Sequence, residues 1–408
     1  MKLRNYFRLL AEDQPYVSRW SWFWKPILEI ASQIYLLGLV VHRTFYKWGI
    51  LKVRSLSCPV ISIGNITWGG TGKTPIVEYV SRFYLNRRKT PLILTRGYGA
   101  DEHKQLAKQL PEAKFGVGPN RLKEGAKALK AYACDVAILD DGFQHWQMKR
   151  DLDIVSVNVL NPFGNGSLLP RGILREPLSS LKRASIIVLT DVNLTPRKEL
   201  DELKAKIHIL SPKAEFIEAY REPLYFYRPE SRERIQVGRL HGQRVTAFSG
   251  IGTPRSFQML LNQIGLRTVR NFEYGDHHHY SDDELKEIVR VKEASESQEI
   301  ITTEKDFYRA EKSIQKIVKP LILKVRLRLT TGEYILHQYL SRFIESQYSA
   351  MGIPKPEISS EPPLVIPAQA GIQNDGSLPV RQAGPISAQQ NGGSAALFGG
   401  KTFGDDKV

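Results

Sequence analysis

From residue 59 to residue 189 the chain repeats one pattern, a short run of β-branched and aliphatic residues followed by a turn and then a helical stretch. The runs at 60–63, 91–94, 136–139, 154–157 and 186–189 are almost continuously apolar rather than alternating. Continuous runs mean strands buried on both faces, so they predict a parallel sheet covered by helices. The pattern returns at 245–248, 299–302 and 321–325, again with helical segments between. A second, smaller α/β unit is expected there. Between the two, residues 220–238 are polar and rich in Arg, Glu and Pro, which reads as a linker.

The first fifty residues follow a different rule. Trp20, Trp22, Phe23 and Trp24 precede an apolar stretch at 27–41, which His42, Arg43, Phe45, Tyr46, Lys47 and Trp48 follow. Aromatic and basic residues on both sides of an apolar helix are what a bilayer interface selects. The stretch falls short of the roughly 20 residues a full span requires, and it carries Glu29 and Gln33. A helix embedded in or lying on a membrane is expected, with a core helix as the alternative. The late apolar region, with no small-residue cleavage site after it, argues against a signal peptide. Beyond about residue 349 Pro, Gly, Ala, Gln and Ser dominate, so a disordered tail is expected over 350–408.

Composition narrows the partners. A chain of 408 residues exceeds what one core usually holds, about 250–300 residues, so two domains are expected. The net charge of +16 points to an anionic partner surface: nucleic acid, acidic lipid and polyphosphate all fit. Cys58 and Cys134, the two cysteines, stand in no metal or redox spacing, so a disulfide framework is disfavoured and a reducing compartment favoured.

The chemistry is concentrated in the run Ser62-Ile63-Gly64-Asn65-Ile66-Thr67-Trp68-Gly69-Gly70-Thr71-Gly72-Lys73-Thr74-Pro75. A strand ends, a glycine-rich turn follows, and Lys73-Thr74 opens a helix. Glycines let successive N–H groups converge on phosphate oxygens, the helix start adds positive charge, Lys73 reaches the β and γ phosphates, and Thr74 offers a hydroxyl to Mg²⁺. The general motif places glycine where this chain has Thr67. Asp140 and Asp141 end an apolar strand, as do the acids that hold Mg²⁺ beside such a loop; capping of a following helix is the alternative.

These segments, with Thr95-Arg96-Gly97-Tyr98-Gly99, Asp140-Asp141-Gly142-Phe143-Gln144-His145, Asn161-Pro162-Phe163-Gly164-Asn165-Gly166, Leu169-Pro170-Arg171-Gly172-Ile173-Leu174-Arg175-Glu176-Pro177, Asp276-His277-His278 and Thr302-Thr303-Glu304-Lys305-Asp306, resemble the tetraacyldisaccharide 4′-kinase family of lipid A synthesis. The resemblance runs from the N-terminal helix to about residue 349. It implies transfer of the ATP γ-phosphate to the 4′-hydroxyl of a tetraacylated glucosamine disaccharide 1-phosphate, with Mg²⁺ as cofactor. The fold it implies is a phosphate-loop kinase domain at 51–220, a linker at 221–240, a smaller α/β domain at 241–349, and a membrane-associating region at 1–50. That region would hold the protein on the cytoplasmic face of the inner membrane; a monomer is expected.

A sugar hydroxyl is a poor nucleophile near neutral pH, so a base should take its proton. In the family this is an aspartate of a Gly-Asp-Glu-Pro segment, supported by the histidine of an Asp-His motif. Here Ala100-Asp101-Glu102-His103 keeps the acids but not the glycine or proline, and the loop before it is shorter than is common in the family. The resemblance thus assigns Asp101 as base and His277 as its partner, with Lys73 stabilising charge. It assigns Gly69, Gly70, Thr71, Gly72, Lys73, Thr74, Arg175 and Glu176 to the nucleotide, and Thr74, Asp140 and Asp141 to Mg²⁺. Arg96 and Arg171 are phosphate clamps or ion-pair partners, and Gln144 and His145 shape the acceptor region. The run Asp276-His277-His278-His279 also admits a zinc site, although adjacent residues seldom converge on one tetrahedral ion. A phosphate-loop GTPase or another small-molecule kinase is the competing enzyme; no Asn-Lys-x-Asp segment for guanine is present, and neither explains the tryptophan-rich start. A nucleic-acid-binding role is the competing non-enzyme, and no recognised signature accompanies the charge.

Overall fold

A computed structural model describes residues 21–97, 101–231 and 233–350, so the expected tail lies outside the described residues. The chain opens with α1 (Ser21–Lys47), followed by β1 (Val60–Gly64), α2 (Lys73–Leu85), β2 (Pro91–Thr95), α3 (Asp101–Gln109), β3 (Lys114–Val117), α4 (Arg121–Ala131) and β4 (Val136–Asp140). It continues through β5 (Leu152–Asn158), β6 (Ile186–Thr190), α5 (Arg197–Leu210), β7 (Glu215–Tyr227), β8 (Arg234–Gln236), β9 (Arg244–Ser249) and α6 (Pro254–Gln263). The remainder is β10 (Arg267–Glu273), α7 (Asp282–Ala294), β11 (Glu299–Thr303), α8 (Glu304–Arg309), α9 (Glu311–Ile317), β12 (Leu321–Thr331) and α10 (Glu333–Ala350). Each continuous apolar run falls inside a strand.

All strands join one sheet, in the order β10-β9-β11-β12-β7-β6-β5-β1-β4-β2-β3, with β8 on the free side of β7. Within β7 to β3 every pairing is parallel, and so is every pairing from β10 to β12. The two halves meet at β7 and β12, which run antiparallel. Side chains alternate across the first half-sheet as the pleat requires. Ile61, Ile63, Ile154 and Ile186 pack with Ile76 and Val80 of α2 and Leu106 of α3, whereas Val155, Val157, Ile187 and Leu189 pack with Leu200 and Ile207 of α5. The second half is covered likewise by Phe257 and Leu261 of α6 and by Leu285 and Ile288 of α7.

Two expectations about the organisation change. Residues 220–227, expected as linker, belong to the long strand β7, and 234–236 form β8. The last helix, α10, joins the first core: Leu336 and Leu340 enter the cluster around α2, to which Leu327 and Leu329 of β12 also pack, and the Tyr84 hydroxyl donates to the Leu340 carbonyl at 2.9 Å.

The seam places the site. β6 pairs with β7 only as far as Glu218, and β11 pairs with β12 only as far as Leu323, which lies opposite Phe226 of β7. Because β7 and β12 run in opposite directions, the carboxyl ends of the two half-sheets face each other across the intervening ribbon. Loops at the carboxyl ends of parallel strands are where α/β folds bind ligands. Here both sets of loops line one cleft.

Candidate active site

A cavity of about 1040 Å³ fills that cleft. From the first half it is lined by residues 68–75, Thr95, Arg96, Lys104, Gln105, Asp140, Asp141 and Arg175; from the second by Gly252, Thr253, Asp276, His277, Lys305, Tyr308 and Arg309.

The glycine-rich turn is held from three sides. The Thr71 carbonyl accepts from the Ser156 hydroxyl at the end of β5 and from the Thr190 hydroxyl at the end of β6, the latter at 3.1 Å. Asn65 Nδ2 donates to Thr71 Oγ1 at 2.9 Å. Gly72 has φ +82°, and a Cβ there would press against Thr190, so this position needs glycine on two counts. Thr67 stands where the general motif has glycine because it is not in the turn. It forms an antiparallel bridge with Leu174, flanked by Trp68 N–H to Ile173 O at 2.6 Å and Arg175 N–H to Ile66 O at 2.7 Å.

That bridge brings Arg175 to the cleft. Its guanidinium donates to both carboxylate oxygens of Asp141 at 2.8 Å, and Lys73 Nζ lies 3.3 Å from the same carboxylate. Burial alone would raise the Asp141 pKa, but the Lys73 ammonium and the Arg175 guanidinium override it and hold the group well below the usual carboxylate range. Asp141 has φ 51°, and buried Arg121 secures the turn by donating to the carbonyls of Asp140 at 2.9 Å and Asp141 at 3.1 Å. Arg121 also meets His145 Nδ1 at 3.2 Å. Burial, then Arg121, Arg150 and Arg96, push the His145 pKa down to about 4. Gln144 spans the floor, donating to the Asn65 carbonyl at 2.8 Å and approaching Arg175 at 3.4 Å.

The residues present fit a magnesium nucleotide. The turn's glycines put no side chain between its amides and the cavity, Lys73 and Arg175 supply positive charge, and Thr74, Asp140 and Asp141 line the same cavity with hard oxygen donors. Mg²⁺ commonly takes only one or two protein carboxylates and completes its shell with phosphate and water. Among the described residues no group of three or more His, Cys, Asp or Glu side chains converges as a metal site, which removes the support for zinc at the histidine run.

From the second half, Thr253 Oγ1 donates to the Gly70 carbonyl at 2.6 Å, and Gly252 lies against the Gly69-Gly70 backbone. The loop carrying them is anchored by Asp306, fully buried, which accepts from the Gly250 amide at 2.9 Å, the Tyr280 hydroxyl at 2.8 Å and Arg309 at 3.1 Å. Asp276 pairs with Lys305 at 3.1 Å and lies 3.8 Å from His277 Nε2. Burial would raise the Asp276 pKa, but Lys305 and His277 reverse this and lower it. His277 has φ 58°, a conformation uncommon outside glycine, which the Asp276 Oδ1 to His277 N–H contact at 3.1 Å accompanies.

Most residues singled out from the sequence therefore share the cleft, and two need separate comment. Glu176 is 1% exposed and does not line the cavity; it is turned into the core, 3.0 Å from Arg183, and its expected place at the nucleotide is not supported. Asp101 is the first residue of α3, and its side chain lies outside the described residues, as do Tyr98 and Gly99. The sequence reading missed Gly252, Thr253, Arg221, which also lines the cavity, and Arg309. For the last, the signal was the segment 302–306, whose Asp306 organises the loop.

α1 is docked beside the same loop. Ser32 Oγ donates to the Leu168 carbonyl at 2.9 Å and accepts from the Arg171 amide at 3.0 Å, and the Tyr35 hydroxyl donates to the Arg175 carbonyl at 2.8 Å. Away from these contacts, Ile30, Ile34, Leu37 and Val41 are exposed, and the stretch from Trp22 to Lys47 is long and apolar enough to cross a membrane.

Residues 24–345 match the family model described as tetraacyldisaccharide-1-P 4′-kinase. A tetraacyldisaccharide 4′-kinase of Halothermothrix orenii is 34% identical over 313 residues, covering 69% of this chain and 81% of that protein. The one of Elusimicrobium minutum is 32% identical over 334 residues, covering 75% and 88%. The crystal structure of LpxK from Aquifex aeolicus in complex with ATP superposes with a TM-score of 0.60 at 27% identity, covering 78% of this chain and 99% of that one. A match of this extent accords with a glycine-rich turn, a paired carboxylate and a two-sided cleft in these positions, and the chain belongs to the tetraacyldisaccharide-1-P 4′-kinase family.

Proposed function

We propose that the chain uses ATP and Mg²⁺ to phosphorylate the 4′-hydroxyl of a tetraacyldisaccharide 1-phosphate, with the residue roles that follow. The observation that carries the roles is the Lys73–Asp141–Arg175 cluster, set beside the glycine-rich turn in a cleft lined by both half-sheets. The amides of Gly69 to Gly72 and the Lys73 ammonium hold the β and γ phosphates. Thr74, Asp140 and Asp141 hold Mg²⁺, which when bound neutralises charge on the phosphates. Arg175 and Lys73 keep Asp141 ionised and add positive charge where the transferred group spreads its negative charge.

Asp101 takes the proton of the 4′-hydroxyl as that oxygen bonds to the γ phosphorus. The bond from phosphorus to the β,γ-bridging oxygen breaks, and ADP leaves. His277, held by Asp276 and across the cleft from the glycine-rich turn, orients the base and its acceptor. Phosphoryl transfer depends chiefly on such positioning and charge compensation.

The acyl chains must reach the cleft from a membrane, and the exposed apolar side of α1 supports attachment to one. Its opposite side bonds to the loop carrying Arg175, so the helix lies along the protein as a surface anchor on the cytoplasmic face of the inner membrane. The decisive experiment incubates the purified chain with γ-labelled ATP, Mg²⁺ and the disaccharide 1-phosphate in detergent. A bisphosphorylated lipid is expected from the parent and a loss of several hundredfold or more, roughly, from Asp101→Ala. Equal rates from the two would remove the base assignment.

A further inference from the structure

Glu304 opens α8 at the edge of the cleft and is 8% exposed. A buried carboxylate is costly unless donors surround it, and this one is surrounded. Its Oε2 accepts from Lys324 at 2.9 Å, Gln109 at 3.1 Å and Gln105 at 3.5 Å, and its Oε1 from the Tyr227 hydroxyl at 3.3 Å. Lys324 and Tyr227 belong to the ribbon strands β12 and β7. Gln105 and Gln109 belong to α3, which is built into the first half-sheet through Leu106 and through Leu110 just past its end. A single carboxylate therefore joins α3 to the second half of the protein. Lys108 reinforces the junction, 3.1 Å from Glu311 and 4.6 Å from the centre of the Tyr308 ring.

The junction has a direction. Residues 101, 105 and 109 recur at intervals of four, so they follow one side of α3. The core fixes how deep the helix sits, and the glutamine contacts resist its rotation and sliding. We propose that Glu304 is a positioning residue for phosphoryl transfer, fixing through Gln105 and Gln109 the helix whose first residue is Asp101. This rests on the assignment of Asp101 as base. A displacement of about 1 Å in a reacting group can cost roughly a hundredfold in rate, so two hydrogen bonds far from the phosphorus suffice to matter.

Both glutamines are only partly buried, so their removal leaves the fold intact where loss of Glu304 itself endangers it. The test is the double variant Gln105→Ala/Gln109→Ala, in the parent and in Asp101→Ala, using the full chain in detergent with the disaccharide 1-phosphate. Expected are a fall in kcat of about 5- to 50-fold, an unchanged KM for ATP and an unchanged Tm in the parent background. In Asp101→Ala the same pair should cost nothing further. Normal kcat in the double variant, a change confined to the KM for ATP, or losses that multiply in Asp101→Ala would overturn the proposal while leaving the base in place. Full turnover by Asp101→Ala alone would remove the base assignment and this proposal with it.

Discussion

Replacing Gly252 with alanine tests the closed cleft most directly. A Cβ on Gly252 would lie 1.8 Å from the Gly70 nitrogen, 2.5 Å from its Cα and 2.8 Å from the Gly69 carbonyl carbon. All three are backbone atoms, which no side-chain rotation can clear. Relief to about 3 Å, the closest approach a methyl tolerates, requires the two loops to part by at least about 1.2 Å at this point. The Thr253 hydroxyl, now 2.6 Å from the Gly70 carbonyl, would then stand near 3.8 Å, outside hydrogen-bonding range. One neutral hydrogen bond contributes about 0.5–1.5 kcal/mol net, which corresponds to a factor of roughly 2–13 in the closed population. Because ATP is to be held by both sides, its dissociation constant should rise by that factor. Thr253→Val should produce the smaller end of the effect, and Thr253→Ser almost none. Titration with a fluorescent ATP analogue, beside a thermal melt, measures this. Unchanged or tighter binding by Gly252→Ala would refute the idea that the contact belongs to the nucleotide-holding state.

Lys73→Ala should lower kcat by about 100-fold or more without lowering Tm greatly, as measured by transfer of labelled phosphate to the lipid acceptor. His145, its pKa depressed to about 4, is neutral in the fold and becomes protonated more readily when the chain unfolds. Its contribution to stability is therefore intact above the unfolded value near 6.5 and is lost as pH falls from there through about 4. The Tm advantage of the parent over His145→Gln should shrink across that window; a constant difference would contradict the burial described. Ile34→Glu and Leu37→Glu, at positions 67% and 64% exposed, should abolish sedimentation with phospholipid vesicles while leaving Tm unchanged.

Much of the first half was legible because its information is local. A strand buried on both faces must be apolar throughout, and a turn that holds phosphate must concentrate glycine ahead of Lys73. β7 escaped for the opposite reason. Beyond Glu218 it lies in a two-stranded ribbon, where Tyr220 to Tyr225 are all half-buried, so no continuous apolar run marks it. Pro223, which suggested a break, sits where the ribbon shifts register, a place that tolerates a residue with no N–H to give. The place of α10 against α2 was not legible, because the two helices are remote in sequence. Gly252 and Thr253 were invisible likewise, since the contact with Gly70 spans 183 residues. Glu176 misled because adjacency in the chain is not adjacency in space: Arg175 enters the cleft while its neighbour turns to Arg183.

Between Glu218 and the β8 pairing at Tyr225, β7 has only β12 beside it. The six residues from 219 to 224, at about 3.3 Å each, act as a ruler of roughly 20 Å that sets how far apart the nucleotide loops of the two halves stand. A pair of strands twists more readily than a wide sheet, so bending of the molecule is concentrated along this ruler. Away from a register shift such as the one beside Pro223, its length changes in steps of two residues taken from both strands, since an odd step would turn every side chain to the opposite face. The spacing available to an acceptor is thus set jointly by the ribbon's whole pleats, of nearly 7 Å each, and by the register shifts that take up an odd residue.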